Sequence, residues 1–126
     1  MTDSLDRLYE AVMAARTADP ASSRTARLLR AGRSKMAKKL AEEAVEVVID
    51  AMNGDSDAVA RESADLLYNL VVLWVASGVH PKDVWTEMER RERLLGIAEK
   101  LPKERVDASL RRKVVALDRS RVRKRR

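Results

Sequence analysis

At 126 residues, 45% of them hydrophobic, the chain has room for one domain with a real core, and four aromatics among abundant Ala, Val and Leu suit helix-on-helix packing better than a sheet. Disulfides, thiolate metal sites and cysteine nucleophiles are excluded, because there is no cysteine. The net charge of +6 is uneven: Lys100–Arg126 holds 12 Lys/Arg and 3 Asp/Glu, a net of +9, which leaves residues 1–99 at −3. We therefore expect a domain over 1–99 and a separate basic tail over 100–126.

The N-terminus has no basic segment followed by an apolar one, and no window approaches the roughly 18 apolar residues of a membrane span. A soluble cytoplasmic protein without membrane partners is expected. Leu5, Leu8, Tyr9, Val12 and Met13 have the i, i+3, i+4 spacing of an amphipathic helix over 3–16, with Thr2 able to cap it. Residues 17–33, with Asp19-Pro20, Ser22-Ser23 and Gly32, predict a long connection with one short helical turn around Thr25–Arg30. Ser34 is the candidate cap of a strong helix from Lys35 to Met52, ended by Asn53-Gly54-Asp55.

A second strong helix spans Asp57–Ala76 and stops at Ser77-Gly78; a third begins at Pro81, which suits a first helical position, and runs to about Leu95. His80, in the turn before that helix, reads as an exposed or capping residue rather than a catalytic base. Trp74 and Trp85 read as core or interface residues with no second aromatic beside either. A short helix over 108–117 is possible, and Arg121–Arg126 reads as a solvated run rather than a nucleic-acid-binding element. The 57–76 helix has Val59, Leu66, Leu67 and the run Leu70–Val75 distributed around its whole circumference. A helix apolar on every side is buried on every side, which predicts an all-α protein that self-associates with this helix central to the interface.

The chemistry falls on the two strong helices. Glu42, Glu43 and Glu46 lie within about a 100° arc of the first, and Glu43 sits on the apolar stripe of Met36, Leu40 and Val47. Glu62 and Asp65 are one turn apart on the second, and Asn69 continues their face. The short 53–56 turn lets the two acidic patches converge. Such a set repels itself unless protons or a cation intervene, and an oxygen-only set favours Mg²⁺ or Mn²⁺ over zinc. Lys35 and Lys39 lie on the acid-bearing side; Lys39 is also placed for an i,i+4 ion pair with Glu43. Magnesium bridging to phosphates makes hydrolysis of a phosphoanhydride the natural reaction.

Glu42-Glu43-x-x-Glu46, fifteen residues, then Glu62-x-x-Asp65 resembles the signature of the all-α nucleoside triphosphate pyrophosphohydrolases, a group that includes MazG-like and dimeric dUTPase families. Further segments narrow the resemblance to the phosphoribosyl-ATP pyrophosphatase family. They are Leu-Tyr-Glu at 8–10, Ser23-x-Thr25-Ala-Arg-Leu-Leu, Gly32, Lys35 and Lys39, Asn53-Gly54-Asp55, Glu62 to Tyr68, and Val84 to Arg91. The resemblance implies a helical dimer with a four-helix core that hydrolyses phosphoribosyl-ATP to phosphoribosyl-AMP and pyrophosphate in histidine biosynthesis. By position it implies that Glu43, Glu46, Glu62 and Asp65 ligate the metal and Glu42 supports them. Lys35, Lys39, Arg27 and Asn69 would then meet the nucleotide. The chain departs from the family pattern in having Tyr68-Asn69 where Tyr-His is common, and in its longer basic tail. A MazG-like house-cleaning hydrolase, and a helical nucleic-acid-binding protein that has lost catalysis, are the competing readings; a buried acidic set serves neither DNA nor RNA.

Overall fold

The computed structural model describes residues 3–98 of the chain. Those residues form five α-helices and no strand: α1 (Ser4–Ala15), α2 (Arg24–Ala31), α3 (Arg33–Met52), α4 (Ser56–Ser77) and α5 (Pro81–Ala98). No helix among them is long and apolar enough to cross a membrane. The chain divides into two units, Met1–Trp85 and Thr86–Arg126. Of the second, the described part is α5 from Thr86 onward, where Glu87 pairs with Arg90 at 2.9 Å and Arg91 at 3.2 Å. The segment 108–117, the Arg121–Arg126 run and Thr2 lie outside the described residues.

Capping chemistry sets the boundaries and corrects three sequence expectations. Asp3, and not Thr2, caps α1, its Oδ1 accepting from the Asp6 N–H at 2.8 Å. Ser23 caps α2, its hydroxyl accepting from the Ala26 N–H at 3.1 Å, so the expected single turn is an eight-residue helix. Ser34 does not cap α3; the cap position is Gly32, with no side-chain bond, and α3 starts at Arg33. Gly32 has φ 99°, a conformation that L side chains rarely adopt, and this lets α2 pass directly into α3. Asp55 caps α4 through the Ala58 N–H at 3.0 Å, and Gly78 closes it in the left-handed conformation. His80 is exposed and its Nδ1 accepts from the Lys82 N–H at 2.9 Å, in keeping with the exposed or capping role expected of it.

Within Met1–Trp85, α3 and α4 pack as a hairpin, α1 lies on α4, and α2 is wedged against α1, α3 and α4. The core gathers Val12 of α1, Leu28 of α2, Met36 of α3, and Val71 and Val72 of α4. It therefore occupies the end of the hairpin nearest the start of α3. Val71 and Val72 are fully enclosed by the chain itself. Trp74 and Trp85 do pair with one another, edge to face at 6.4 Å between ring centroids, contrary to the expectation that each lacks an aromatic neighbour.

The far end of the hairpin is different. Val45, Val48, Ile49 and Met52 recur at i, i+3, i+4 and i+7 on α3 and are 51–83% exposed, with Leu67 of α4 also exposed. The open apolar stripe thus belongs mainly to α3, whereas the sequence pattern puts the emphasis on α4. The reason is that α1 covers much of the apolar circumference of α4 near Val71, and nothing within Met1–Trp85 covers the stripe on α3.

Candidate metal and phosphate site

Twenty residues without internal Gly or Pro make α3 a continuous rod, and α4 runs back along it after the turn at 53–55. The pairing brings Glu43 of α3 to Glu62 and Asp65 of α4, each offering a carboxylate oxygen within 4.8 Å of the others. Glu46, one turn beyond Glu43, also reaches Glu62. Glu42 is exposed and stands outside the three-residue group, so the structure separates it from the residues beside it in sequence.

Glu43 and Glu62 are half-buried, and Oε2 of each is a buried atom with no hydrogen-bond partner. The groups facing them are other carboxylates, which share a hydrogen bond only when one is protonated. Contacts of that kind with Glu46 and then Glu43, with burial and like charge adding, raise Glu62 from 4.5 to about 7. An acceptor withdrawn from water without a donor is costly, and either a proton or a cation relieves it. Clustered carboxylate oxygens with no His or Cys suit a hard divalent ion. The orphaned oxygens and the donor chemistry together fit Mg²⁺ or Mn²⁺.

Beside the acids lies a cleft of about 190 Å³ whose walls include Arg24 and Arg27 of α2, Lys35 and Lys39 of α3, and Tyr68 and Asn69 of α4. Arg27, Lys35, Lys39 and Asn69, the four residues marked from sequence as substrate contacts, thus share one cavity. The Lys39–Glu43 ion pair open to these residues does not form; ion pairs among the described residues are those of Glu87 with its two arginines. Arg27 Nη1 donates to the Pro20 carbonyl at 2.8 Å, and buried Asn69 donates from Nδ2 to the Asp65 carbonyl at 2.8 Å. Asn69 is therefore tied to the turn of α4 that carries Asp65. Arg24 is the member that sequence reasoning misses. Its signal is the i,i+3 spacing to Arg27, visible only once residues 24–31 are taken as a full helix.

A carboxylate cluster suited to a divalent cation beside a basic cleft is chemically matched to a polyphosphate, since acids can hold cations and bases can balance phosphate oxygens. A sequence model of the family described as phosphoribosyl-ATP pyrophosphohydrolase matches residues 5–92. A protein named phosphoribosyl-ATP pyrophosphatase 2 from Rhodopseudomonas palustris is 74% identical over 106 residues, covering 84% of this chain and 81% of its own. One of the same name from Bradyrhizobium diazoefficiens is 65% identical across 99% of both chains. Phosphoribosyl-ATP pyrophosphatase from Gluconobacter oxydans is 53% identical, over 81% of this chain and 78% of its own. The match runs through every helix that builds the acidic cluster and the cleft, and the chain belongs to the phosphoribosyl-ATP pyrophosphohydrolase family.

Proposed function

We propose that the chain hydrolyses phosphoribosyl-ATP to phosphoribosyl-AMP and pyrophosphate, the second step of histidine biosynthesis, with Mg²⁺ as cofactor and Mn²⁺ as a substitute. The observation that carries this reading is the pair of buried, donorless oxygens on Glu43 and Glu62 beside the basic cleft. The names of the three relatives support the choice of substrate.

In this reading Glu43, Glu46, Glu62 and Asp65 hold the metal. When bound, Mg²⁺ supplies positive charge that offsets the pyrophosphate oxygens and activates water for attack. Glu42, exposed on the same helix, supports the set from outside. Arg27, Lys35 and Lys39 orient the phosphate chain and balance its charge, while Asn69 holds the Asp65 turn and lines the cleft. A carboxylate of the set takes the proton that the attacking water loses; the phosphoanhydride breaks, and pyrophosphate leaves.

The same reading makes the protein a homodimer. The exposed stripe of Val45, Val48, Ile49 and Met52 runs along the acid-bearing helix, and a second copy pairing there would complete a four-helix bundle from two hairpins. The catalytic domain is then residues 1–99 and the basic stretch 100–126 an appendage, since the family match ends at residue 92.

Full-length protein with phosphoribosyl-ATP and Mg²⁺ tests the activity by product analysis. Phosphoribosyl-AMP and pyrophosphate should form in equal amounts and require the metal. Release of orthophosphate, or no turnover, contradicts the proposal.

A further inference from the structure

Tyr68 stands outside the acidic set, one position before Asn69 on the wall of the cleft. Its hydroxyl meets Thr25 Oγ1 at 2.6 Å in a half-buried contact between residues 43 apart in sequence. Among the described residues this is the one side-chain hydrogen bond joining α2 to another helix; Ser23 and Arg27 bond within their own stretch of chain.

That contact matters because of what α2 carries. Arg24 and Arg27 are half of the cleft's four cations, and both ride on a helix of eight residues. A helix this short has little stability of its own and takes its position from its neighbours. Ala26 and Leu28 anchor it in the core, which sets its depth. Apolar contacts are non-directional, so rotation about the helix axis and sliding along the hairpin remain cheap. A hydrogen bond is directional, and this one lies between the two arginines in sequence. It joins them to the turn of α4 that follows Asp65.

We propose that Tyr68 is a positioning residue. Through Thr25 its hydroxyl fixes the rotation of α2, so that Arg24 and Arg27 stand over the cleft, and Arg24 is a further phosphate-binding residue. The inference rests on the substrate reading above. It predicts that the two hydroxyls act as one unit, that their loss weakens phosphate binding, and that it leaves the carboxylate chemistry in place.

Full-length Tyr68→Phe, Thr25→Val, the double variant and Thr25→Ser test it with three measurements. These are phosphoribosyl-ATP kinetics, pyrophosphate binding by calorimetry with Mg²⁺ present, and amide hydrogen exchange along α2. Each hydroxyl deletion should raise KM and weaken pyrophosphate binding about fivefold, the net worth of one hydrogen bond, with kcat within about twofold of wild type. The double variant should be no worse than either single one, and Thr25→Ser should restore wild-type values. Exchange across α2 should quicken while the melting temperature barely moves. A fall in kcat confined to Tyr68→Phe, with Thr25→Val silent, would show Tyr68 acting on the substrate directly and overturn the proposal. Unchanged pyrophosphate affinity and exchange in both single variants would overturn it as well. If wild type fails to turn over phosphoribosyl-ATP, the substrate reading falls, and the pyrophosphate and exchange data still decide the role of the bridge.

Discussion

Glu43 and Glu62 face one another across the α3–α4 hairpin, each with a buried Oε2 that no donor reaches. With Asp65 within 4.8 Å and Glu46 against Glu62, the group is stable only when something positive sits among the oxygens. At low pH a proton fills that place; in the proposed reading a divalent cation takes it at neutral pH, so proton and metal would compete for it.

The competition appears in stability. Glu62 titrates at about 7 in the folded chain against an ordinary 4.5. A raised carboxyl binds its proton more tightly in the folded state, so its contribution is fully present below pH 4.5 and is lost as pH rises towards 7. The metal-free protein should therefore lose melting temperature between about pH 4.5 and 7. Mg²⁺ should restore it at the upper end, and Glu62→Gln should flatten the profile. Thermal melts across pH with and without Mg²⁺ check this; a metal-free profile that is flat or rises through that window contradicts it.

Replacing a proposed ligand separates function from folding. Glu46→Ala or Asp65→Ala should lower turnover by about a hundredfold or more, because charge on the pyrophosphate is no longer offset. Removing one negative group also relieves repulsion, so metal-free stability should hold or rise. Circular dichroism melts and initial rates at saturating Mg²⁺ read both quantities. Near wild-type turnover in either variant removes that residue from the ligand set.

The dimer has its own test. Val48 and Ile49 are 60% and 51% exposed in the isolated chain and sit mid-stripe on α3. Val48→Asp or Ile49→Asp would place an unpaired charge in an apolar interface, which is strongly unfavourable. Sedimentation at micromolar concentration should give a dimer for wild type and a folded monomer for the variants. A stable wild-type monomer contradicts the bundle.

Most of the helices and most of the acidic cluster are legible in the amino-acid sequence, and the gaps have physical causes. The acidic residues announce themselves by spacing, and the apolar stripe of Met36, Leu40 and Val47 already singles out Glu43 from Glu42 within one arc. In the structure Glu43 is half-buried against α4 and Glu42 is exposed. The helix α2 hides behind Asp19-Pro20, Ser22-Ser23 and Gly32, whose turn chemistry masks a Ser23 cap and two buried anchors. Arg24 is lost with it. The stripe at Val45, Val48, Ile49 and Met52 has plain helical spacing, yet the richer apolar content of α4 draws attention away from it. That α1 covers the Val71 side is a tertiary fact no local pattern carries. The Trp74–Trp85 pair closes across the turn at Gly78, beyond the reach of any single-helix periodicity.

Residues 100–126 carry a net +9, and among the described residues the cluster and the cleft draw on α2, α3 and α4. Truncation after Lys103 should leave kcat/KM within about tenfold at high salt, with any loss confined to low salt, where long-range attraction of anionic substrates operates. Rates for both forms at two ionic strengths decide the matter. A large loss that persists at high salt means the segment completes the site.

Whether this cluster and cleft act on phosphoribosyl-ATP is tested most directly by a substrate panel. Steady-state kcat/KM with Mg²⁺ should be measured for phosphoribosyl-ATP, ATP and the other common ribo- and deoxyribonucleoside triphosphates, with pyrophosphate as the readout. Phosphoribosyl-ATP should be hydrolysed with by far the highest kcat/KM. Equal or faster hydrolysis of other triphosphates would contradict that assignment and point to a general nucleotide pyrophosphohydrolase.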